Sequence, residues 1–278
     1  MTVLTTIPNG ASLLDTRETI NAALADIASL KAALLPFNPA SLFAAGEQGV
    51  WGDLSDPFAV FQDAAGTIAS AVDAPIGRVN DKSGRGNHMT QPTAAARPML
   101  RRDARGELYA EFDGIDDHLV LPTAAIVPTG SVFGLFGVRL SASGSFPYVL
   151  GNTGDAAFTM LYVASIRAPR SVAAYADGTN TLVDGAARAI GEAHTFGLIF
   201  DRAAPALRQR INGVEASVPG MNKNLGSPAS YAIGNLPGNT SALFPGRMYD
   251  MLVLSRLPTD AEITAVEKRT GARMGLVL

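Results

Sequence analysis

Four carboxylates lie close together between Glu111 and Asp117, where the sequence reads EFDGIDD. Side chains alternate across a strand, so Glu111 and Asp113 would share one face if this stretch were extended. Two carboxylates about 5 to 5.5 Å apart can hydrolyse a glycosidic bond, one as the nucleophile and the other as the acid. Gly114 interrupts the strand before Asp116. The pattern therefore favours a turn, and catalysis by Glu111 and Asp113 is the alternative.

The same turn offers ligands for a cation. Asp113, Asp116 and Asp117 supply hard oxygen atoms of the kind that calcium prefers. Aspartates in turns more commonly accept hydrogen bonds from nearby backbone amides, and we favour that interpretation. The chain has no cysteine and three histidines, His88, His118 and His194. Their spacing does not match a zinc site, so no cofactor is predicted and calcium is the one alternative.

A second polar loop, DKSGRGNH, runs from Asp81 to His88. Its glycines permit positive φ angles, and its Asp, Ser and Asn side chains can bond to neighbouring backbone groups, so it can fold into compact turns without a ligand. The same groups could bind sugar hydroxyls, and Arg85, Asn87 and His88 are the candidates. We favour the structural role and keep sugar binding as the alternative.

The single tryptophan, Trp51, is the fourth candidate for carbohydrate binding. An exposed indole can stack on the C–H face of a sugar, but a large aromatic side chain also suits a hydrophobic core. Phe58 and Phe61 lie close by in the sequence. We favour packing for Trp51, within a stretch from Ser41 to Gln62 that shows no regular pattern.

The region after Leu108 consists of short apolar segments separated by turn residues. About eleven candidate strands follow one another without intervening helices, which predicts antiparallel sheets packed face to face. The candidates are residues 108–113, 117–121, 131–140, 146–151, 157–165, 170–176, 194–200, 206–212, 214–218, 229–234 and 246–255. Asn212-Gly213 predicts a tight hairpin.

A helix is predicted to follow the last strand. Thr259 can cap it, and Glu262 can reach back to the Thr259 amide, which is the capping-box pattern. Pro258 disfavours helix before the cap. Gly271 is the residue type that commonly ends a helix, so we place the helix end there.

Residues 11–35 form the other predicted helix. Leu13, Ile20, Ile27 and Leu34 recur every seven residues, and Leu24 occupies a central position of the other heptad series. Isoleucine and leucine in these positions favour three or four strands over a parallel dimer. We predict a coiled-coil stem that forms a homotrimer, and the alternative is an amphipathic helix that packs on its own domain.

Three blocks of sequence carry a family resemblance. The stretch from Gly246 to Ile263 resembles the last strand and trailing helix of concanavalin A-like, laminin-G-like jelly-roll domains. LYAEFDGIDDHLVL, residues 108–121, resembles a strand pair of that family. Residues 77–98 resemble the segment before this pair in tailed-phage fibre and appendage proteins. The resemblance implies an all-β antiparallel sandwich from about Val50 to Leu276.

The composition argues against two kinds of partner, nucleic acid and the interior of a membrane. The formal net charge is −3 and 47% of residues are hydrophobic, so no basic surplus points to nucleic acid. No run approaches the ~18 apolar residues of a membrane span, and no membrane insertion is predicted. The N-terminal sequence MTVLTTIPNG lacks the basic and apolar parts of a secretion signal, which predicts synthesis in a cytoplasm.

Together the pattern and the resemblance imply four segments. Residues 1–10 would anchor the chain to other virion proteins, residues 11–35 would form the stem, 36–49 a linker and 50–278 the jelly-roll domain. The implied function is that of a phage-like fibre, spike or appendage protein, located in the virion, whose head binds host surface carbohydrate. The alternatives are a glycan-degrading enzyme that uses Glu111 and Asp113, and a purely architectural decoration of capsid or tail.

Overall fold

A computed structural model describes most of the chain. The described residues are 17–24, 37–127, 130–141, 148–153, 170–176, 179–184, 189–204, 206–219, 230–235 and 243–278. The chain divides into two compact units, Met1–Asn38 and Pro39–Leu278.

The first unit contains a helical segment. Residues 17–24 are helical, as the heptad pattern predicts, and the apolar side chains of Ile20 and Leu24 are 46% and 58% exposed. The other heptad residues, Leu13, Ile27 and Leu34, lie outside the described residues, as does the anchoring segment 1–10. No helix in the described part of the chain is long and apolar enough to cross a membrane.

The second unit is built from strands and ends in a helix. The strands are β1 (Gly49–Asp53), β2 (Val60–Phe61), β3 (Arg78–Val79), β4 (Met89–Thr90), β5 (Met99–Arg102), β6 (Leu108–Asp113), β7 (Leu119–Leu121), β8 (Val132–Leu140), β9 (Leu150–Thr153), β10 (Arg170–Ala176), β11 (Thr179–Asp184), β12 (Ala193–Asp201), β13 (Ala206–Ile211), β14 (Val214–Pro219), β15 (Ser230–Ile233) and β16 (Pro245–Leu254). Short 3₁₀ helices span Pro39–Phe43, Pro57–Ala59, Ala94–Ala96 and Thr123–Ala125, and the C-terminal helix spans Asp260–Met274.

Two antiparallel sheets form a sandwich, which confirms the predicted all-β class. The larger sheet has eight strands in the order β14-β13-β12-β8-β16-β6-β5, with β1 also paired to β16. The smaller has the order β2-β3-β4-β7-β15-β9, and β10 and β11 form a separate pair. Side chains from both main sheets, including Phe136, Met248, Leu119 and Ile233, share one buried core.

Strand β16 organises the larger sheet. One edge pairs with β8 along its length, and the other pairs first with β6 and then with β1. The register shifts between Met248 and Asp250, so the side chains of Tyr249 and Asp250 both leave the core, while Met248 and Met251 stay in it. This bulge places a carboxylate on the outer face of the sheet.

Strand β1 corrects the sequence analysis, which found no regular pattern between Ser41 and Gln62. All five residues of β1 are buried, so the strand lacks the alternation of polar and apolar residues that would reveal it. Leu42 and Phe43, in the predicted linker, are buried as well.

The C-terminal helix confirms one prediction and corrects another. The Thr259 hydroxyl accepts from the Glu262 amide at 3.2 Å and the Glu262 carboxylate accepts from the Thr259 amide at 2.7 Å, so the capping box is present. Gly271 does not end the helix, which continues to Met274 and is capped by Gly275 at φ 81°. A Cβ on Gly271 would lie 2.8 Å from the Leu278 side chain, so glycine there makes room for the chain end.

Buried charges attach this helix to the outer face of the larger sheet. Arg269 donates to Asp250 and, at 3.1 Å, to Asp53. Arg273 donates to the carbonyl of Tyr249 and lies 3.6 Å and 3.7 Å from the carboxylates of Asp53 and Asp250. These four charged side chains, Asp53, Asp250, Arg269 and Arg273, form what we call the paired region.

The Asn212-Gly213 hairpin is also confirmed. The two residues have φ of 50° and 80° and join β13 to β14. Positive φ at both central positions is what a type I′ turn requires, and Asn and Gly tolerate it best. The candidate strand at residues 157–165 lies outside the described residues.

Candidate functional site

The Asp81–His88 loop is closed around one carboxylate. Asp81 accepts hydrogen bonds from the backbone amides of Trp51, Ser83 and Asn87 at 3.0, 2.8 and 2.9 Å, and from the Ser83 hydroxyl at 2.7 Å. A carboxylate that accepts several bonds fixes the backbone around it. The loop therefore holds one conformation through its own side chains, as the structural interpretation predicts.

The tip of this loop presents Arg85. Gly84 and Gly86 flank it with φ of 82° and 75°, and nothing lies within 4 Å of a Cβ built at either position. Glycine is therefore needed here for its backbone conformation, because a larger side chain would meet no steric clash. Arg85 is exposed, and no described carboxylate lies within ion-pair distance of it. The loop thus carries a cation into solvent on a rigid support.

Trp51, Asn87 and His88 face inward. The Trp51 side chain is 5% exposed, its Nε1 donates to Asp250 at 3.3 Å, and Lys82 and Arg269 lie over its ring, so no indole face is open to a sugar. This is the packed alternative that the sequence favours.

The two remaining loop candidates already have partners. Asn87 is buried and donates to the Gly49 carbonyl at 2.7 Å. His88 accepts from the Asp81 amide at 3.0 Å, and burial together with the charge of Arg78 lowers its pKa. Of the four sugar-binding candidates, Arg85 is exposed, His88 is half-buried, and Trp51 and Asn87 are buried.

Phe58 is an aromatic side chain that the sequence analysis assigned to the packing around Trp51. The structure instead leaves 84% of it exposed. It lies in the short helix that Asp56 caps, and the other Asp56 oxygen accepts from Lys82 at 2.9 Å, so this helix is tied to the Asp81–His88 loop. The Asp-Pro-Phe order, typical of a capped surface turn, was the available signal. We call the surface of Phe58 and Arg85 the loop surface.

The carboxylates at the end of β6 form the predicted turn. Asp113 accepts from the amides of Ile115, Asp116 and Asp117 at 2.8, 3.3 and 3.4 Å, while Asp117 accepts from the Asp113 amide at 2.9 Å. Burial raises the pKa of Asp117 to about 7; the Asp113 amide opposes this rise, and the neighbouring acids add to it.

The same three carboxylates are close enough to share a cation, since one oxygen atom from each lies within 4.8 Å of the others. The oxygen chemistry fits calcium, although the hydrogen bonds inside the turn already engage Asp113 and Asp117. Calcium binding here stays the alternative to a turn without a metal.

Glu111 pairs with an arginine of the neighbouring strand. Its carboxylate accepts from Arg101 at 2.8 Å on the outer face of the larger sheet, and Arg101 also pairs with Asp73. Glu111 and Asp113 therefore have separate sets of partners, one an ion pair on the sheet and the other the amides of a turn.

The fold resembles solved structures at low sequence identity. A sialidase from Trypanosoma rangeli aligns with a TM-score of 0.53 and 11% identity, over 83% of this chain and 33% of that protein. A botulinum neurotoxin type C structure, described with two ganglioside molecules, gives 0.52 and 9%, over 69% and 48%. The binding domain of Paraclostridial Mosquitocidal Protein 1 gives 0.53 and 12%, over 71% and 51%.

These similarities establish an all-β sandwich. At such identities they concern the fold alone, and the chain spans about a third to a half of the length of these proteins. No protein-family model and no curated protein matches the sequence.

Proposed function

We propose that this protein is the carbohydrate-binding head of a virion appendage and that it binds host glycan through the loop surface. The observation that carries the proposal is the rigid Asp81–His88 loop, whose tip exposes Arg85 and whose Lys82 is bonded to Asp56, the cap of the turn that exposes Phe58. The support from similar folds is that a ganglioside-dependent toxin and a sialidase share the sandwich.

The two side chains suit a sugar in different ways. An exposed phenyl ring can stack on the C–H face of a pyranose, which is apolar. The Arg85 guanidinium can donate to ring hydroxyls or to an acidic substituent. Because hydrogen bonds within the loop already hold its conformation, little ordering entropy is lost on binding.

A single site of this kind binds weakly, and the proposed stem supplies avidity. Ile20 and Leu24 are exposed on the helix in the first unit and would pack against the same residues of two further copies. Three heads on one stem raise the effective concentration and multiply apparent affinity by about 10²–10⁴. The segment before the stem would bind other virion proteins.

We further propose that the head binds glycan without cleaving it. The support is that Glu111 accepts from Arg101 and Asp113 accepts from turn amides, so each carboxylate already has its own hydrogen-bond donors. The enzyme alternative predicts new reducing ends when the protein is incubated with host polysaccharide. Release that disappears in Glu111→Gln would establish the enzyme and contradict the binding proposal.

Binding itself is tested on a glycan array with the full chain. We expect selective binding that Phe58→Ala and Arg85→Ala each reduce at least tenfold. Val214→Ala is the matched control, because Val214 is 68% exposed but lies on the β13–β14 hairpin. Binding that is unchanged in both loop variants would remove the loop surface from the proposal, and absence of glycan binding would favour the architectural alternative.

A further inference from the structure

Two arginines lie side by side on the outer face of the larger sheet. Arg247 of β16 is the register partner of Arg139 of β8. Their chain neighbours Val138 and Met248 belong to the core, so the two arginine side chains point to the opposite face. Directly paired residues have Cβ atoms about 4.5–5.5 Å apart, and like charges in this position repel.

Neither arginine has a carboxylate partner in the part of the chain that the structure describes. Arg139 donates to the Gly191 carbonyl at 2.9 Å, and Arg247 lies 4.8 Å over the Tyr109 ring. Glu111 is the register partner of Arg247 on the other edge, but its carboxylate accepts from Arg101. We call Arg139 and Arg247 the unpaired region.

Both side chains also keep a hydrogen-bond donor without an acceptor. The Nε atoms of Arg139 and Arg247 are buried and have no partner among the described residues. A buried polar group without a partner costs about 1–3 kcal/mol, more when it is charged. Two such donors next to each other, on side chains that also repel, match a ligand that carries negative charge and several acceptor oxygens.

We propose that Arg139 and Arg247 together bind a tetrahedral oxyanion, a sulfate or phosphate group. A guanidinium offers paired N–H donors whose spacing matches two oxygens of such a group, and two guanidinium groups can engage four oxygens. A dianion balances both charges, whereas a single carboxylate leaves one positive charge uncompensated. The Tyr109 ring beneath Arg247 holds that guanidinium in place.

This site is separate from the loop surface and does not depend on it. The unpaired region lies near the ends of β8 and β16 on the outer face of the sheet, while the loop surface adjoins β1 through Asp81 and Trp51. The oxyanion could be a free inorganic ion or a substituent of an acidic polysaccharide. Both present tetrahedral oxyanion oxygens to the arginines, but a sulfate ester carries one negative charge and balances one of the two guanidinium groups.

Isothermal titration calorimetry on the full chain tests the site. Sodium sulfate and sodium phosphate are titrated separately against a sodium chloride reference of equal ionic strength. We expect one saturable site whose affinity falls at least tenfold in Arg139→Gln and in Arg247→Gln. Arg102→Gln is the matched control, since Arg102 is exposed and, among the described residues, donates to the Gly106 carbonyl of its own turn.

The outcomes separate the possibilities. Absence of saturable binding, or equal binding by both variants and the wild type, overturns the proposal. Thermal melting of each variant shows that it is folded, and Arg247→Lys, which keeps the charge but loses the planar donor pair, should weaken binding as well.

A second titration identifies the source of the oxyanion. A sulfated polysaccharide and its desulfated form are compared in an Arg85→Gln background, which removes the exposed cation of the loop surface. Tighter binding of the sulfated chain than of free sulfate assigns the site to a glycan substituent. Equal binding of the free ion and the chain assigns it to the free ion.

Discussion

Two regions on the outer face of the larger sheet contain a pair of arginines each, and they differ in whether carboxylates lie beside the arginines. In the paired region, Arg269 and Arg273 lie against the buried carboxylates of Asp53 and Asp250. In the unpaired region, Arg139 and Arg247 face each other without a carboxylate among the described residues. Strand β16 contributes to both regions, Asp250 to the paired region and Arg247 to the unpaired region, whereas the arginines of the paired region come from the C-terminal helix.

The difference separates a structural use of charge from a ligand-binding one. Burial raises the pKa of Asp53, but hydrogen bonds from Ser55 and the charges of Arg269 and Arg273 outweigh it and hold the pKa below the usual value. Charged side chains that already pair with one another have no free hydrogen-bonding groups with which to bind a ligand. Buried charged side chains without a partner destabilise the fold unless a ligand of opposite charge binds them.

The largest expected effect belongs to Arg273→Met. Arg273 is 8% exposed and donates to the carbonyls of Tyr249 and Leu108 and to the Glu107 carboxylate. Its loss leaves two carbonyls and the nearby carboxylates of the paired region uncompensated, which should cost about 3–5 kcal/mol of unfolding free energy. Urea denaturation measures it. A cost below 1 kcal/mol would show that the paired region does not hold the helix.

Removing the charge of a buried carboxylate that has no cationic partner among the described residues should stabilise the protein, whereas Arg273→Met should destabilise it. Asp117 is 5% exposed and its pKa is raised to about 7 from 3.8. Below pH 4 it is protonated in the folded and unfolded chains and costs nothing. Between pH 4 and 7 the unfolded chain ionises first, so stability falls as pH rises. Asp117→Asn should therefore stabilise the protein at pH 8 by about 2–4 kcal/mol and change little at pH 4.

If calcium binds at this turn, Asp117→Asn should destabilise the protein at pH 8 when calcium is present. If Asp113, Asp116 and Asp117 hold the cation, adding calcium chloride at pH 8 should raise the melting temperature of the wild type, and Asp117→Asn should abolish the rise. Magnesium chloride at equal concentration is the control. A stabilising Asp117→Asn substitution together with no calcium response would assign the cluster to the turn alone.

Thr259→Ala tests whether the N-cap of the C-terminal helix helps to position Arg269 and Arg273 in the paired region. The Thr259 hydroxyl accepts from the Glu262 amide, and Glu262 also binds Arg256 at 2.8 Å. Losing the hydroxyl should cost about 1 kcal/mol, and Thr259→Ser should restore most of it. Equal stability of all three proteins in urea would mean that packing alone positions the helix.

Local rules in the sequence predicted the parts of this fold that depend on neighbours in the chain. The capping box, the Asn212-Gly213 turn and the polar turn after β6 each rest on side chains bonding a few residues away. The predicted helix end at Gly271 was wrong. Gly271 makes room for the Leu278 side chain, and the position of Leu278 depends on the tertiary fold.

The charged regions could not be predicted, because their members are far apart in the sequence. Asp53 and Asp250 meet Arg269 and Arg273 only when β1 pairs with β16 and the helix packs across them. Likewise, nothing marks Arg139 and Arg247 as neighbours until the strand register is known. The sequence predicted the Asp81–His88 loop but not which of its side chains point outward, since that depends on the contact with β1.

The smallest expected effect completes the comparison. Arg247→Met keeps the apolar stem over Tyr109 but loses the cation–π contact with that ring and the hydrogen bond to Tyr249. It also removes an unpartnered Nε and a charge that repels Arg139, so the opposing changes should nearly cancel. Urea denaturation in chloride buffer should place this variant within about 0.5 kcal/mol of the wild type. The same measurement in sulfate should separate them, because sulfate stabilises both proteins in general and the wild type gains additional stability from the bound ion. If Arg247→Met were as costly as Arg273→Met in chloride, the unpaired region would be structural and the distinction between the two regions would fail.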